Sequence, residues 1–401
     1  EFEKAHPDIS AYVWGNPRSW DQTRPRFLAG NPPDVFWGIH NINFWVNLQD
    51  GLVAPLDSLM QTPAYGQPDK TFGETFFPGV LEQGQLDGRQ YFLPIVYNIS
   101  GIWYNKGMFD EHGWQVPATW DEFLALCELI KQTGNGIAPL THQGKYPTYF
   151  GGIYLALVYK LGGKELLNAM DTLQPGAWSR PELIEAARLS QQLYERDYIL
   201  SGTSSFSHTE AQMIWLQGKA AMIPCGTWLE SEMINALPDG FEMRIMPVPG
   251  FADGKGGLGA MEASSDPAFW VPTDAAHPDW GMEYLRIMLS RKPAAGFVEN
   301  VGSVQPILGS TDDAEVRPAT RSALDAVEAA GGETFNFRFS SWYLELTNEF
   351  ENALGALLNR DITPERFVER MEAMAERLRR DPDTLRFDSE PEQAVTAKAS
   401  S

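Results

Sequence analysis

Short apolar segments alternate with marked helix starts along most of this chain. Residues 220–224 form a brief apolar run between two helical stretches, and such a run is typical of a buried strand. Thr119, Ser179 and Ser207 each stand three residues before a glutamate, which is the pattern of a capping box at the start of a helix. Strands interleaved with helices and joined by short connections predict an α/β fold.

The length of the chain predicts more than one packed core. It has 401 residues, whereas one domain usually holds about 100 to 200. Apolar strands are broken by polar turns near Tyr97, Phe269 and Leu308, so we expect the chain to pass between two α/β lobes at these points. The predicted lobe 1 contains residues 1–102 and 270–308, and lobe 2 contains 103–269 and 309–401, with a disordered tail from about residue 388.

Two predicted strands end directly in side chains that could meet a ligand. The strand at 35–39 is followed by the polar pair His40 and Asn41, and ligands of α/β sheets bind at strand ends. The strand at 220–224 breaks at a Gly-Thr turn before Trp228. We therefore expect the Trp228 ring at the surface, where it could stack on a ligand, rather than in the core.

A third pair of residues lies between two predicted strands. Residues 86–89 are typical of a tight hairpin turn, and strands are predicted at 91–96 and 101–104. Tyr97 and Asn98 then fall in the connection between these strands.

Charge and hydropathy exclude some classes of protein. The chain has 31 Lys plus Arg against 53 Asp plus Glu, a net charge of −22, and this argues against binding to nucleic acid, whose phosphates need basic partners. No run approaches the roughly 20 apolar residues that cross a bilayer. The sequence opens without an initiator Met or a signal peptide, in residues that read as the tail of a helix, so we expect a segment upstream.

The two cysteines leave two alternatives. Cys127 falls in the helix capped by Thr119, Cys225 lies at a strand end, and no spacing motif relates them. They could form a disulfide or be two buried small apolar residues, and we predict that both are unpaired.

The sequence contains few motifs that are typical of catalysis or of cofactor binding. The pattern from Gly254 to Gly259 has the glycine spacing of a dinucleotide site but no helix follows it, so it predicts a glycine-rich loop. The six histidines are scattered and no zinc signature or nucleophile elbow occurs, so we expect no cofactor, no metal site and no catalytic residue of these kinds. A glycosidase needs only two carboxylates, and Glu262 with Asp266 is the pair to examine, although solvated loop acids are the simpler alternative.

Aromatic residues are the unusual part of the composition. The chain has 13 Trp, 13 Tyr and 22 Phe. Aromatic rings can hold the flat C–H faces of sugars while polar neighbours bind the hydroxyls, but most rings in any protein belong to the core. Their position in the fold has to decide between these roles.

Several separate stretches follow one another in order along nearly the whole chain, and they are residues 30–35, 91–94, 101–106, 117–123, 218–222, 226–228 and 342–343. Together these stretches resemble the solute-binding proteins of carbohydrate ABC transporters. Three further stretches, Lys145-Tyr146-Pro147, residues 281–290 and Ser341-Trp342-Tyr343, are within that family most similar to the binding proteins for N-acetylglucosamine and diacetylchitobiose.

The resemblance implies a two-lobe periplasmic-binding-protein-like fold with hinge crossings, in which the sugar is held between the lobes. It implies an exported monomer, periplasmic or lipid-anchored, that delivers its sugar to the permease subunits of an ABC transporter. Trp228 and Trp342 would form the stacking pair, and Asn98 stands where maltose-type members have an acidic residue. The implied ligand-binding residues are Trp37, His40, Asn41, Tyr97, Asn98, Tyr146, Tyr149, Trp228 and Trp342.

Two other functions compete with a sugar-binding transport protein. One is a secreted carbohydrate-active hydrolase, and the other is an adhesion or structural lipoprotein. Incubation with a sugar separates them, because a hydrolase releases products whereas a carrier shows a ligand-dependent melting shift and leaves the sugar unchanged.

Overall fold

The computed structural model describes residues 1–15, 19–38, 44–265, 268–312 and 314–387. The chain divides into two compact units. Among the described residues, unit 1 contains Glu1–Asn98 and Ser264–Val316, and unit 2 contains Ile99–Ala263 and Arg317–Phe387. The crossing points expected from the sequence, after residues 102, 269 and 308, differ from these by 4, 6 and 8 residues. The assignment of the lobes stays a prediction, and the predicted tail from 388 lies outside the described residues.

Helices make up much of both units. In chain order they are α1 (Phe2–Ala5), α2 (Ser19–Leu28), α3 (Phe44–Gln49), α4 (Asp57–Met60), α5 (Lys106–His112), α6 (Trp120–Thr133), α7 (Thr148–Asp171), α8 (Pro181–Glu195), α9 (His208–Leu216), α10 (Leu229–Met233), α11 (Pro278–Met288), α12 (Arg291–Val301), α13 (Pro318–Ala329), α14 (Phe339–Trp342), α15 (Leu344–Leu358) and α16 (Pro364–Arg380).

The strands are short. In chain order they are β1 (Phe36–Trp37), β2 (Pro63–Ala64), β3 (Gln67–Thr71), β4 (Gln85–Leu86), β5 (Arg89–Gln90), β6 (Leu93–Pro94), β7 (Asn98–Asn105), β8 (Ala138–Leu140), β9 (Ala220–Gly226), β10 (Met243–Met246), β11 (Met261–Ser264), β12 (Ala268–Trp270) and β13 (Thr334–Phe335).

The central sheet of unit 2 has the order β13-β11-β7-β9-β8, with β10 paired to β7. β8 runs parallel to β9, whereas β7 runs antiparallel to both β9 and β10. Every residue of β9 is buried, which agrees with the apolar run in its sequence. The carboxyl ends of β8 and β9 lie at the same edge of the sheet, because the two strands are parallel.

Unit 1 contains a smaller antiparallel sheet of order β1-β12-β6. Its hydrophobic core is formed by side chains such as Leu56, Phe72 and Leu93, which pack against Leu285 and Ile307 from the later segment. The predicted strands at 35–39 and 91–96 are therefore present but shorter than expected. The predicted hairpin turn is correct, and Asp87 and Gly88 both have positive φ angles there.

Helix starts follow the predicted capping boxes in two of three cases. The side chains of Thr119 and Ser207 each accept a hydrogen bond from the backbone N–H of the glutamate three residues later. The side chain of each glutamate accepts one from the backbone N–H of that Thr or Ser. The prediction at Ser179 is wrong, because Ser179 ends a 3-10 turn and α8 begins at Pro181 with Arg180 as its cap. Proline already has the φ angle of a first helical residue and needs no capped N–H.

The position of Asn98 also differs from the expected connection between two strands. Asn98 is the first residue of β7, whose pairing with β9 begins at Ser100 opposite Gly226. Pairing with neighbouring strands extends β7 beyond the apolar run at 101–104. The ends of this strand therefore cannot be predicted from hydrophobicity alone.

The glycine pattern at 254–259 is a loop, as predicted, and its contacts explain the glycines. The Lys160 ammonium donates hydrogen bonds to the carbonyls of Gly257, Leu258 and Ala260. A Cβ atom at Gly254 would lie 2.4 Å from the carbonyl oxygen of Lys160. The loop therefore needs glycine in order to approach the backbone of α7.

Two further expectations concern the cysteines and the membrane. Cys127 and Cys225 are buried and unpaired, which confirms the prediction of two free thiols. Among the described residues, no helix has the length and apolar character that a membrane span requires.

Candidate functional site

Trp228 stands where β9 turns into α10. Its ring folds back over Gly226, because a Cβ atom on Gly226 would lie 1.9 Å from the indole carbon Cζ3. Thr227 between them is buried, and its hydroxyl accepts a hydrogen bond from the backbone N–H of Ile99 at 3.4 Å. The turn thus fixes an indole that remains partly exposed. This position agrees with the surface location predicted for Trp228.

Tyr149 lies beside Trp228. It is in the first turn of α7, and its ring centroid is 6.2 Å from that of Trp228 at an interplanar angle of 66°. Burial raises the pKa of the Tyr149 phenol, and the nearby Cys225 and Glu232 raise it further. The hydroxyl therefore stays neutral at ordinary pH and can donate or accept a hydrogen bond.

Tyr146 lies just before α7 and is 46% exposed. Its ring meets the edge of His208 at a centroid distance of 5.9 Å, and its carbonyl accepts a bond from the backbone N–H of Tyr149 at 3.1 Å. The structure therefore brings together three of the predicted site residues, Tyr146, Tyr149 and Trp228, on unit 2.

A buried polar layer lies behind these aromatic residues, and the sequence analysis missed it. The amide of Gln143 donates to the carbonyl of Pro224 at 3.3 Å, and the amide of Gln212 donates to Glu232 at 2.6 Å. Their amide oxygens are both buried and have no hydrogen-bond partner within the described part of the chain. Gln143 follows β8 by three residues, so its place at the carboxyl end of a strand is the signal that could have identified it.

His142, next to Gln143, is buried and bonds through Nε2 to the Tyr194 hydroxyl. Burial lowers the pKa of His142 to about 3, because the charged imidazolium would lose its water. The imidazole is therefore neutral, and it supports this edge of the sheet without adding charge to it.

Trp342 has a different environment from Trp228. It is only 6% exposed, and its ring stacks on Phe387 at a centroid distance of 4.5 Å and an interplanar angle of 6°. The Arg338 guanidinium lies 5.8 Å from the centroid of the same ring. Among the described residues, Trp228 and Trp342 make no ring contact with each other, so their role as a stacking pair stays a prediction.

Three other predicted site residues, Trp37, Tyr97 and Asn98, belong to unit 1. Trp37 ends β1 and is 43% exposed. The Tyr97 backbone N–H donates to the carbonyl of Val304 at 2.7 Å, and its ring meets the edge of Phe77. Asn98 is buried. His40 and Asn41 lie outside the described residues.

The possible glycosidase pair and possible metal ligands bear on the alternative functions. Glu262 is in β11, and Asp266 lies outside the described residues. No group of three or more His, Cys, Asp or Glu side chains among the described residues could hold a metal ion.

Residues 1–295 match the family described as bacterial extracellular solute-binding protein. This chain belongs to that family. The match confirms the predicted family. It also confirms the coarser expectation that this is a solute-binding protein that acts outside the cell.

Individual relatives agree with the family assignment. The chain is 32% identical to the diacetylchitobiose binding protein NgcE of Streptomyces coelicolor over 328 residues, which are 80% of this chain and 68% of that protein. It is 25% identical to the multiple sugar-binding protein of Streptococcus mutans over 80% of this chain and 74% of that protein.

A solved structure described as a chitin oligosaccharide binding protein has a similar fold, with a TM-score of 0.77 and 20% identity. The match covers 94% of this chain and 92% of that one. The predicted α/β fold of the periplasmic-binding-protein type is thus confirmed.

Proposed function

We propose that this protein binds a mono- or oligosaccharide containing N-acetylglucosamine, with N-acetylglucosamine or diacetylchitobiose as the first candidates, and delivers it to an ABC permease. The observation that carries the proposal is the partly exposed Trp228–Tyr149 pair at the carboxyl end of β9. The similarity to a diacetylchitobiose binding protein over 80% of this chain supports the choice of sugar.

The chemistry of this pair suits a sugar ring. The indole of Trp228 offers a flat apolar face, and the hydroxyls of Tyr149 and Tyr146 offer hydrogen bonds in either direction. A pyranose has apolar C–H faces and a rim of hydroxyls, so it needs both kinds of contact. Trp37, His40, Asn41, Tyr97, Asn98 and Trp342 are kept as further candidate contacts within the proposal.

Transport requires the loaded protein to differ from the empty one. We propose that the sugar closes the two lobes, as the family resemblance implies, and that the permease recognises the closed form. A ligand can favour one state only through its higher affinity for that state. Export as a periplasmic protein or as a lipoprotein, and action as a monomer, belong to the same proposal.

Calorimetric titration with N-acetylglucosamine, diacetylchitobiose, maltose and raffinose tests the choice of ligand. We expect tight binding of a chitin sugar, a higher melting temperature in its presence and no release of product. Binding of maltose alone would contradict the sugar assignment, and hydrolysis of chitobiose would favour the hydrolase instead. Delivery is tested by whether the loaded protein stimulates ATP hydrolysis by the cognate permease in liposomes and the empty protein does not.

A further inference from the structure

Glu262 is a carboxyl group for which the described residues provide no hydrogen-bond or ionic partner. It is the second residue of β11, an inner strand between β13 and β7, and it pairs directly with Phe335. Burial raises the pKa of Glu262 to about 7, and no neighbouring charge offsets this effect. A carboxylate that has lost water without gaining a donor is costly for a protein to keep.

The carboxyl group is directed towards one face of α7. A Cβ atom at Gly152 would lie 3.4 Å from Oε2 of Glu262, so the absence of a side chain at Gly152 leaves room beside the carboxyl. Tyr149 and Gly152 are three residues apart and so lie on one face of the helix. Both are partly exposed, whereas Phe150 and Ile153 are buried.

These contacts connect Glu262 to the proposed sugar site. Trp228 contacts Tyr149, Gly152 is one turn further along the same face of α7, and Glu262 borders Gly152. All four residues are partly exposed and belong to unit 2. They form a continuous row, the Trp228–Glu262 row, with an aromatic platform at one end and an unpartnered acceptor at the other.

We propose that Glu262 contacts the ligand and accepts hydrogen bonds from hydroxyl or acetamide N–H groups of the sugar that stacks on Trp228. This inference rests on the proposed function of the same site. It names a specificity determinant, because a bound ligand without a donor at this place would exclude water from the carboxylate and leave it unpaired. Such a mismatch discriminates far more strongly than the loss of an apolar contact.

The affinity should depend on pH in a defined direction. The titratable groups on the elements around Glu262 are Tyr149, Tyr159 and Lys160 on α7, Tyr104 on β7, and Glu333 just before β13. Lys160 donates to carbonyls of the glycine loop, and Glu333 accepts bonds from the Tyr159 hydroxyl and the Gly257 N–H. A protonated Glu262 accepts fewer bonds, so binding should weaken as the pH falls below about 7.

Titration of purified wild-type protein and of Glu262→Gln with diacetylchitobiose, between about pH 5.5 and about pH 8, tests this inference. Glutamine keeps the shape and removes the charge. We expect the variant to lose about tenfold or more in affinity at the upper pH and to lose most of the pH dependence. Its melting temperature should not fall, because the replaced charge has no partner to lose.

Glu333→Gln is the matched control. Glu333 is close to Glu262 in the fold, because its carbonyl accepts a hydrogen bond from the N–H of Met261, and its side chain already has partners. Its affinity should stay within about twofold of wild type. If Glu262→Gln binds diacetylchitobiose as tightly as wild type at every pH, the inference is wrong and the proposed function stands. If the wild-type protein binds neither diacetylchitobiose nor N-acetylglucosamine, the proposed function fails, and the inference fails with it.

Discussion

Trp228 and Trp342 are two indoles of unit 2 to which the family resemblance gives the same task, yet their surroundings differ. Trp228 is partly exposed, lies over a glycine and meets one tyrosine edge. Trp342 is buried, with Phe387 stacked on its face. Its indole N–H is buried and has no hydrogen-bond partner among the residues that the structure describes. The difference shows that residue type and chain order identify candidates, whereas burial decides which ring offers an open face.

The largest expected effect is that of Trp342→Ala on stability. Removing a buried indole from its stack on Phe387 should lower the free energy of unfolding by about 3 to 5 kcal/mol. Chemical denaturation measures this change. A variant that unfolds like wild type but has lost its sugar affinity would show that Trp342 is a binding surface. The two tryptophans would then have the same role.

A second effect concerns Asp171, which anchors the Trp342 region. Its carboxylate accepts a hydrogen bond from the N–H of Phe339 at the start of α14, yet burial raises its pKa from 3.8 to about 7. The folded state therefore holds the proton more tightly than the unfolded state does. Its contribution to the free energy of unfolding should be greatest below about pH 4 and should fall by about 4 kcal/mol towards pH 7.

Denaturation across this pH range, in wild type and in Asp171→Asn, tests the expectation. The asparagine variant should lose the part of the pH dependence that belongs to Asp171, while Glu262→Gln should remove a separate part. An unchanged slope in Asp171→Asn would mean that the carboxyl stays ionised in the folded protein.

Next in size is Trp228→Ala, which should act on affinity. The loss of a stacking surface is worth about 1 to 3 kcal/mol, or roughly tenfold to a hundredfold in the dissociation constant for diacetylchitobiose. The melting temperature should change little, because the ring is not enclosed by the core. Trp280→Ala, which truncates an exposed tryptophan of unit 1, is the control and should bind normally. Unchanged affinity together with a large loss of stability would place Trp228 in the core instead.

The smallest expected effect is that of Gly226→Ala. The new methyl group would overlap the Trp228 ring, so the ring must turn away, and affinity should fall by about threefold to tenfold. Gly296→Ala, where a Cβ atom meets no other atom within 4 Å, provides a neutral comparison. Equal affinities of the two glycine variants would show that the orientation of the Trp228 ring does not matter for binding.

Local signals were the part of the fold that the sequence could predict. The capping boxes at Thr119 and Ser207 depend on residues three apart, and the turn before Trp228 depends on a short apolar run that ends in Gly-Thr. The capping box predicted at Ser179 is wrong, because the helix begins at Pro181, two residues later.

The parts of the site that could not be predicted depend on distant contacts. Phe387 covers a ring 45 residues earlier in the chain, and Glu262 meets a glycine 110 residues before it. No periodicity or motif relates such positions. The sequence could therefore name Tyr149, Trp228 and Trp342 but could not show which ring is covered, nor that Glu262 lies in a row with two of them.

The loop held by Lys160 has a consequence for how relatives of this protein vary. Three backbone carbonyls share one ammonium group, and two of the loop glycines, Gly254 and Gly256, lie against the backbone of α7. These positions should resist substitution during evolution even where the sugar preference changes. In such relatives, conserved glycines with the spacing of a nucleotide-binding motif would reflect the packing of this loop. They would not indicate which ligand the protein binds.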